Sequence, residues 1–407
     1  MARAIVAATA LLALVFGGNT VSAAGAASAQ ETSAAKSVNE FGIDLYERLA
    51  LECSDNVFFS PFSIETALAM TYAGARGETA GEMAAVLHLD AESERVHPAF
   101  AELIGRINKQ AVSGSCKLAT ANALWGQKGH GFLKSFLQLV SENYGAGMEF
   151  VDFGRSEEAR AKINDWTAKK TQDRIKDLIP AGAINADTRL VLTNAVYFKG
   201  LWVAPFKKRD TRQARFKLMG GQSVVVPTMC QGEDFRYGDR PGYQAIEMPY
   251  KGCDIAMLVL LPTDPAGLPG LEKALTLDEV DKCVAGLATR TVALQLPKAH
   301  MLQRFSLAKT LGAMGMPNAF ADADFSGMDG AKDLFISEVL HKAFVNVDEE
   351  GTEAAAATSV MMALGEAPME EIKQFIADHP FIFLIRERQS GAILFMGRVM
   401  NPELADE

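Results

Sequence analysis

The side chains best able to do covalent or metal chemistry are thinly spread along this 407-residue chain. Its histidines stand at 88, 97, 130, 300, 341 and 379, and no two have the spacing by which one helix or loop presents a pair of ligands to zinc. The strings that set a nucleophile on an elbow (GxSxG), a water-activating zinc over a helix (HExxH) or phosphates over glycine amides (GxxxxGK[ST], GxGxxG) are absent. No metal, no cofactor and no enzymatic activity are expected. Cys53, Cys116, Cys230, Cys253 and Cys283 are odd in number, scattered and never CxxC. They are expected to form neither a disulfide framework nor a zinc site, but to act mostly as small buried apolar residues, with at least one unpaired.

One stretch is informative for what it could offer another molecule. Phe344, Asn346 and Asp348 alternate with Val345 and Val347, the period of a strand, until Glu349, Glu350 and Gly351 break the run. Thr352, Glu353, Ala354, Ala355, Ala356, Ala357, Thr358 and Ser359 follow. Taken alone, the alanine run reads as an exposed helix or flexible linker. As a strand, it places Thr352, Ala354, Ala356 and Thr358 on one face and Glu353, Ala355, Ala357 and Ser359 on the other. The first face is small and uncharged, so it could slide between two strands over a packed core without burying a charge. No proline interrupts before Pro368, which leaves every residue to Ala367 able to donate to a ladder. About 14 such residues at roughly 0.5–1.5 kcal/mol per bond would supply on the order of 10 kcal/mol. That rivals the stability of a whole domain, about 5–15 kcal/mol, so a state lacking the strand would be metastable.

The elements that must hold such a segment are read from the rest of the chain. Arg3 and the apolar run Ala4–Phe16 resemble a secretory signal, expected over residues 1–29, with Ala27-Ser28-Ala29 as the cleavage pattern and Val21-Ser22-Ala23 as a second one. The run is shorter than the roughly 20 residues that span a bilayer. A product without a membrane span, secreted or periplasmic, is expected. Removal of Arg3 takes the net charge from -10 to -11, which argues against nucleic acid. The helical stretch Glu92–Lys109 mixes both signs, so no strong heparin site is expected there. No repeat or linker divides residues 30–407, which read as one domain. Helical patterns begin at Ser37, with Phe41, Leu45, Leu49 and Leu51 apolar, and continue at Ile64–Tyr72 (capped by Ser63), Thr79–Leu87, Pro98–Ile107, Phe132–Asn143 and Glu157–Thr171. Strand-like runs lie at Val57–Phe59, Leu118–Trp125, Met148–Phe153 and Leu190–Phe198, and they dominate after Leu201. Helices first and strands later predict a large α+β domain.

Four segments resemble the serpin family in its own order: NVFFSPFSIETALAM (56–70), TRLVLTNAVYFKGLWVAPF (188–206), AFADADFSGM (319–328), and HKAFVNVDEEGTEAAAAT (341–358), which leads on to MGRVMNP at 396–402. NDWTAKKTQDRIKDLI (164–179) adds a fifth. The resemblance, to a secreted, bacterial-like member, implies about nine helices and three β-sheets with an exposed reactive-centre loop, here about 351–379. It implies an irreversible inhibitor that a serine protease attacks, and whose loop then inserts into a central sheet and traps the covalent acyl complex. A monomer whose partner is the target serine protease is expected. The family's count from Gly351 puts the scissile bond at Gly365–Glu366, with Leu364 the neighbouring candidate; Met361, Met362 and Met369 are further ones. The absence of Arg and Lys from Gly351 to Glu371 favours chymotrypsin-, elastase- or subtilisin-like targets over trypsin-like ones. The resemblance also implies a hinge (Gly351 to Thr358), a polar cluster beneath the sheet (Ser60, Ser63, Asn194, His341) and a region where insertion begins (Trp202, Phe206), with Gly200 in a turn. The alternatives are a non-inhibitory member acting as carrier or chaperone, or an exported binding protein.

Overall fold

The computed structural model describes residues 27–90, 94–110, 115–145, 148–352 and 371–403. In chain order they form α1 (Ala29–Glu52), β1 (Val57–Phe59), α2 (Pro61–Tyr72), α3 (Gly77–Val86), α4 (Val96–Gln110), β2 (Cys116–Gln127), α5 (Lys134–Tyr144), β3 (Met148–Val151), α6 (Ser156–Lys170) and β4 (Leu190–Leu201). Then follow β5 (Arg212–Lys217), β6 (Ser223–Arg240), β7 (Tyr243–Pro249), β8 (Ile255–Pro262), α7 (Leu268–Ala274), α8 (Leu277–Ala285), β9 (Ala288–Pro297), β10 (Ala299–Ser306), α9 (Ala308–Met314) and α10 (Ser326–Asp329). The chain ends with β11 (Glu338–Val347), β12 (Gly351–Thr352), β13 (Lys373–Ile376), β14 (Phe381–Glu387) and β15 (Ile393–Val399). The α+β ordering expected from the sequence is present.

Local chemistry fixes the helix starts, sometimes differently from the sequence expectation. Helix α1 begins well before Ser37, because Ser28 accepts from the Glu31 N–H while Glu31 accepts from the Ser28 N–H, a reciprocal cap. Its apolar stripe ends at Leu49; Leu51 is 76% exposed. Helix α2 is capped by Ser60 rather than Ser63: the Ser60 hydroxyl accepts from the Ser63 N–H at 3.1 Å, and Pro61 occupies the first turn, where no N–H partner is lost.

Among the described residues the strands form two hydrogen-bonded sheets, where three were expected. One runs β1-β15-β14-β8-β7-β6-β9-β13, with β5 on β6; the other runs β10-β11-β12-β4-β2-β3. The 18-residue β6 explains the difference, since its first half pairs β5 and its last residues pair β7, which welds two layers into one sheet. Helix α2 lies between the sheets, touching β15 on one side and β2 and β4 on the other. There Phe58 stacks on Phe383 and Phe395 at 5.8 and 5.3 Å. On the opposite face of the six-stranded sheet, Ala159 and Ile163 of α6 join Trp125, Tyr197, Leu340 and Phe344 in a second, smaller core.

Candidate functional site

The six-stranded sheet carries a split at one end. Strands β11 and β4 run parallel and pair directly from Glu338↔Val191 to Phe344↔Tyr197. Beyond that row they part, and β12 sits between them, antiparallel to both: Val347 pairs Thr352, Thr352 pairs Gly200, and Gly351 pairs Leu201. A chain continuing past Thr352 along this path meets the β11–β4 ladder end on. Glycine is required on both sides of the wedge. A Cβ at Gly351 would lie 2.0 Å from the Gly200 carbonyl oxygen, and one at Gly200 would lie 2.6 Å from the Tyr250 ring. Gly200 therefore serves close packing inside β4, not a turn.

The residues around the wedge anchor it. Thr352 is fully buried, its hydroxyl 2.8 Å from the Tyr250 hydroxyl, so it faces the core as the alternation predicted. Trp202 stacks on Tyr250 at 4.5 Å, donates its indole N–H to the Asp348 carbonyl, and donates its backbone N–H to the Glu350 carbonyl at 2.9 Å. The Phe206 N–H donates to the Glu349 carbonyl at 2.7 Å. Trp202 and Phe206 thus stand at the mouth of the split. Three partners escaped the sequence reading. Lys298 pairs with Glu349 at 2.9 Å, Thr211 donates to Glu349 at 2.8 Å, and Lys208 pairs with Glu350 at 2.8 Å. Burial pushes the Glu349 carboxyl up, but Lys298 and Thr211 outweigh it and hold the group below its ordinary value; burial raises Asp348.

Ser60, Ser63, Asn194 and His341 come together beneath the centre of the sheet, all fully buried. His341 and Asn194 are register partners across β11 and β4. The Ser60 N–H donates to His341 Nε2 at 3.1 Å, so Nδ1 carries the ring proton and donates to the Asn194 carbonyl oxygen. Asn194 donates in turn to the Ser63 carbonyl and to Asn122 Oδ1, and Asn122 also accepts from the Ser63 hydroxyl at 2.8 Å. Burial lowers the His341 pKa to about 3, keeping the ring neutral. Ser60 is not an activated nucleophile, since its hydroxyl donates to the Leu394 carbonyl and not to the imidazole. Asn122 was missed, although its inward position two residues before Leu124 on β2 was a readable signal.

Several expectations are revised or lie elsewhere. Cys116 and Cys253 form a disulfide across 137 residues, joining the start of β2 to the β7–β8 turn beside Tyr250, against the expectation of no framework. Spacing concealed the pair because the fold, not the sequence, brings the Cα atoms to 6.3 Å. Cys230 and Cys283 are thiols, and burial raises the latter. The fold also gathers His130, Asp329 and Asp333, with ligand atoms within 4.8 Å, although no spacing linked them; His130 Nε2 and Asp329 Oδ2 already satisfy one another in a hydrogen bond at 2.7 Å. Glu353, Ala354, Ala355, Ala356, Ala357, Thr358, Leu364, Gly365 and Glu366 lie outside the described residues.

Comparison with known proteins bears on this geometry. The family model described as "Serpin (serine protease inhibitor)" matches residues 36–402. An uncharacterised serpin-like protein of Thermococcus kodakarensis is 42% identical over 92% of this chain and 87% of its own. Leukocyte elastase inhibitor A of Rattus norvegicus is 39% identical over 92% of this chain and 100% of its own. The solved structure of Serpin48, a highly specific serpin of the insect Tenebrio molitor, superposes with a TM-score of 0.81 at 33% identity, covering 92% of this chain and 100% of that one. The bacterial-like affiliation expected from the sequence is not carried by these relatives. With the split sheet, its two-residue wedge and the matched span in agreement, the chain has the serpin fold and belongs to the serpin family.

Proposed function

We propose that the protein inhibits serine proteases irreversibly, by presenting the segment beyond Thr352 as a substrate and then inserting it between β4 and β11. The observation that carries this reading is the wedge: two residues of the segment already lie in the split, in the antiparallel register that a full strand would continue. The target's serine oxygen adds to the carbonyl of Leu364 or Gly365, the peptide bond breaks, and the new amine leaves with a proton while an ester holds the two proteins together. Insertion then replaces one parallel ladder by two antiparallel ones. Over about 14 residues, at roughly 3.3 Å each, it draws the attached protease some 45 Å. A distorted protease active site no longer hydrolyses the ester.

The lack of basic residues from Gly351 to Glu371 supports chymotrypsin-, elastase- or subtilisin-like targets. The signal-like N-terminus supports export and a secreted or periplasmic site of action. Cleavage after Ala23 fits better than cleavage after Ala29, because the latter removes Ser28, the cap of α1; N-terminal sequencing of the exported protein distinguishes the two. The inhibitor is expected to act as a monomer, one per protease. Incubation with chymotrypsin, elastase, subtilisin and trypsin tests the central claim. A complex resistant to denaturant should form with one of the first three, and mass spectrometry of the released C-terminal peptide locates the bond. Cleavage by every protease without a complex would show a carrier-like member instead.

A further inference from the structure

The Cys116–Cys253 disulfide has no part in the covalent chemistry proposed above, yet it lies directly behind the wedge. Cys116 is the register partner of Gly200, and Gly200 pairs on its other side with Thr352 of β12. Cys253 stands in the β7–β8 turn three residues after Tyr250, whose hydroxyl meets Thr352 and whose ring stacks on Trp202. The Lys251 N–H of the same turn donates to the Leu201 carbonyl at 2.7 Å. One sulfur is thus fixed to the six-stranded sheet and the other to the nine-stranded sheet, at the end where the split opens.

Strand β4 cannot leave β11 alone. It pairs with β2 from Cys116↔Gly200 to Gly126↔Leu190, and β2 pairs with β3, so these three strands would move as a unit. Strands β10 and β11 belong to the opposite body. Gln303 on β10 donates to the Asn56 carbonyl and accepts from the Phe58 N–H, and β1 is joined through β15, β14 and β8 to β7. The disulfide crosses from one body to the other. Admitting a strand widens the gap between β4 and β11 by about 4.8 Å. The two Cα atoms are already 6.3 Å apart, and a disulfide spans about 6.8 Å at most, so the bond has little slack for that step.

We propose that this disulfide is a redox latch on strand insertion: intact, it holds β2 and β4 to the β7–β8 turn and slows their parting from β11, and a dithiol reductant releases them. The latch rests on the insertion reading above. Cys116 is fully buried and Cys253 half-buried, so attack comes at Cys253. A thiolate of the reductant bonds to Cys253 Sγ, the Cys116–Cys253 bond breaks, and its electron pair goes to Cys116 Sγ, which takes a proton. The reductant's second thiolate then attacks its own sulfur in the mixed disulfide, and Cys253 leaves and is protonated in turn. Both cysteines end as thiols and the reductant as a disulfide.

Warming the full-length protein without protease, with and without dithiothreitol, tests this; alkylation and mass spectrometry verify the state of Cys116 and Cys253. The reduced protein should reach a heat-resistant, non-inhibitory form about tenfold faster, the change that roughly 1.4 kcal/mol at a barrier produces. Cys116→Ser with Cys253→Ser should convert at that faster rate whether or not dithiothreitol is present. Should this variant not fold, wild type reduced after folding supplies the same comparison. Leu45→Ala, which empties buried space on α1, controls for general loss of stability and should convert at the oxidised rate. Equal rates for oxidised and reduced wild type would overturn the latch. So would equal acceleration in Leu45→Ala, or a reductant effect that persists in the double variant. Failure of insertion itself reads differently: neither redox form would become heat-resistant or hold a protease in a denaturant-resistant complex, and the latch would fall with it.

Discussion

At the scale of single residues, Thr352 and Glu65 carry the most pointed consequences. Thr352 is buried in the wedge with its hydroxyl satisfied by Tyr250. Thr352→Arg would force a guanidinium into that space, so the variant should be cleaved normally but form no denaturant-resistant complex; undiminished complex on a gel would refute insertion through this position. Glu65 lies fully buried on α2, with Ser37 donating to one oxygen and nothing bonded to the other. Burial raises its pKa well above the ordinary value, the Ser37 hydrogen bond opposes this, and Glu40 adds to it. The folded value exceeds the unfolded one, so the contribution to stability is complete below about pH 4.3 and falls as pH rises from there. Burial also raises Tyr144 and lowers His97 to about 4 nearby, so comparison at fixed pH is needed. Glu65→Gln should raise stability at pH 8 and much less at pH 5. Equal urea midpoints at pH 8 would rule that out.

At the scale of elements, the decisive contact is the row in which β11 meets β4. The His341–Asn194 hydrogen bond ties together the two strands that the proposed insertion would part, and Ser60, Ser63 and Asn122 fasten that row to α2 and β2. Asn194→Ala leaves a buried ring N–H and the Ser63 carbonyl short of partners, at about 1–3 kcal/mol each. Warmed without protease, the variant should lose inhibitory capacity and become heat-resistant faster than the wild type; equal rates would mean that this row is no lock. Acid should act similarly. His341 is a base whose folded pKa, about 3, lies below its unfolded value, so the stability it contributes above about pH 6.5 is lost as pH falls toward 3. Conversion should therefore be faster at pH 5 than at pH 7, and His341→Gln should flatten that difference.

At the scale of the whole molecule, the proposed mechanism requires that the uncleaved fold forgo a ladder that the cleaved chain can make. Cleavage in the loop should raise the thermal midpoint by on the order of 10–20 °C, given about 10 kcal/mol of added ladder in a chain of this size. Calorimetry before and after limited proteolysis measures it, and an unchanged midpoint would mean the strand never inserts. The Cys116–Cys253 disulfide acts on the other side of the balance. Closing a loop of 137 residues restricts the unfolded chain by about 5 kcal/mol in the chain-entropy treatment. Cys116→Ser with Cys253→Ser should thus lower unfolding stability by up to that amount in denaturant titrations; no change would place the bond's influence elsewhere.

The sequence by itself determined the α+β ordering, the family resemblance and the face of Thr352, because period-two and helical alternation report burial residue by residue. It also marked Ser60, Ser63, Asn194, His341, Trp202 and Phe206, through short strings around each. Only the tertiary structure decided that β12 already occupies the split, that Lys298, Thr211 and Lys208 hold Glu349 and Glu350, that Asn122 completes the polar cluster, and that Cys116 meets Cys253. It likewise decided that β6 joins two layers into one sheet. The reason is common to all of these. Each joins side chains or strands that lie far apart along the chain, and such pairings depend on sheet register and strand length, which no local pattern of polarity encodes.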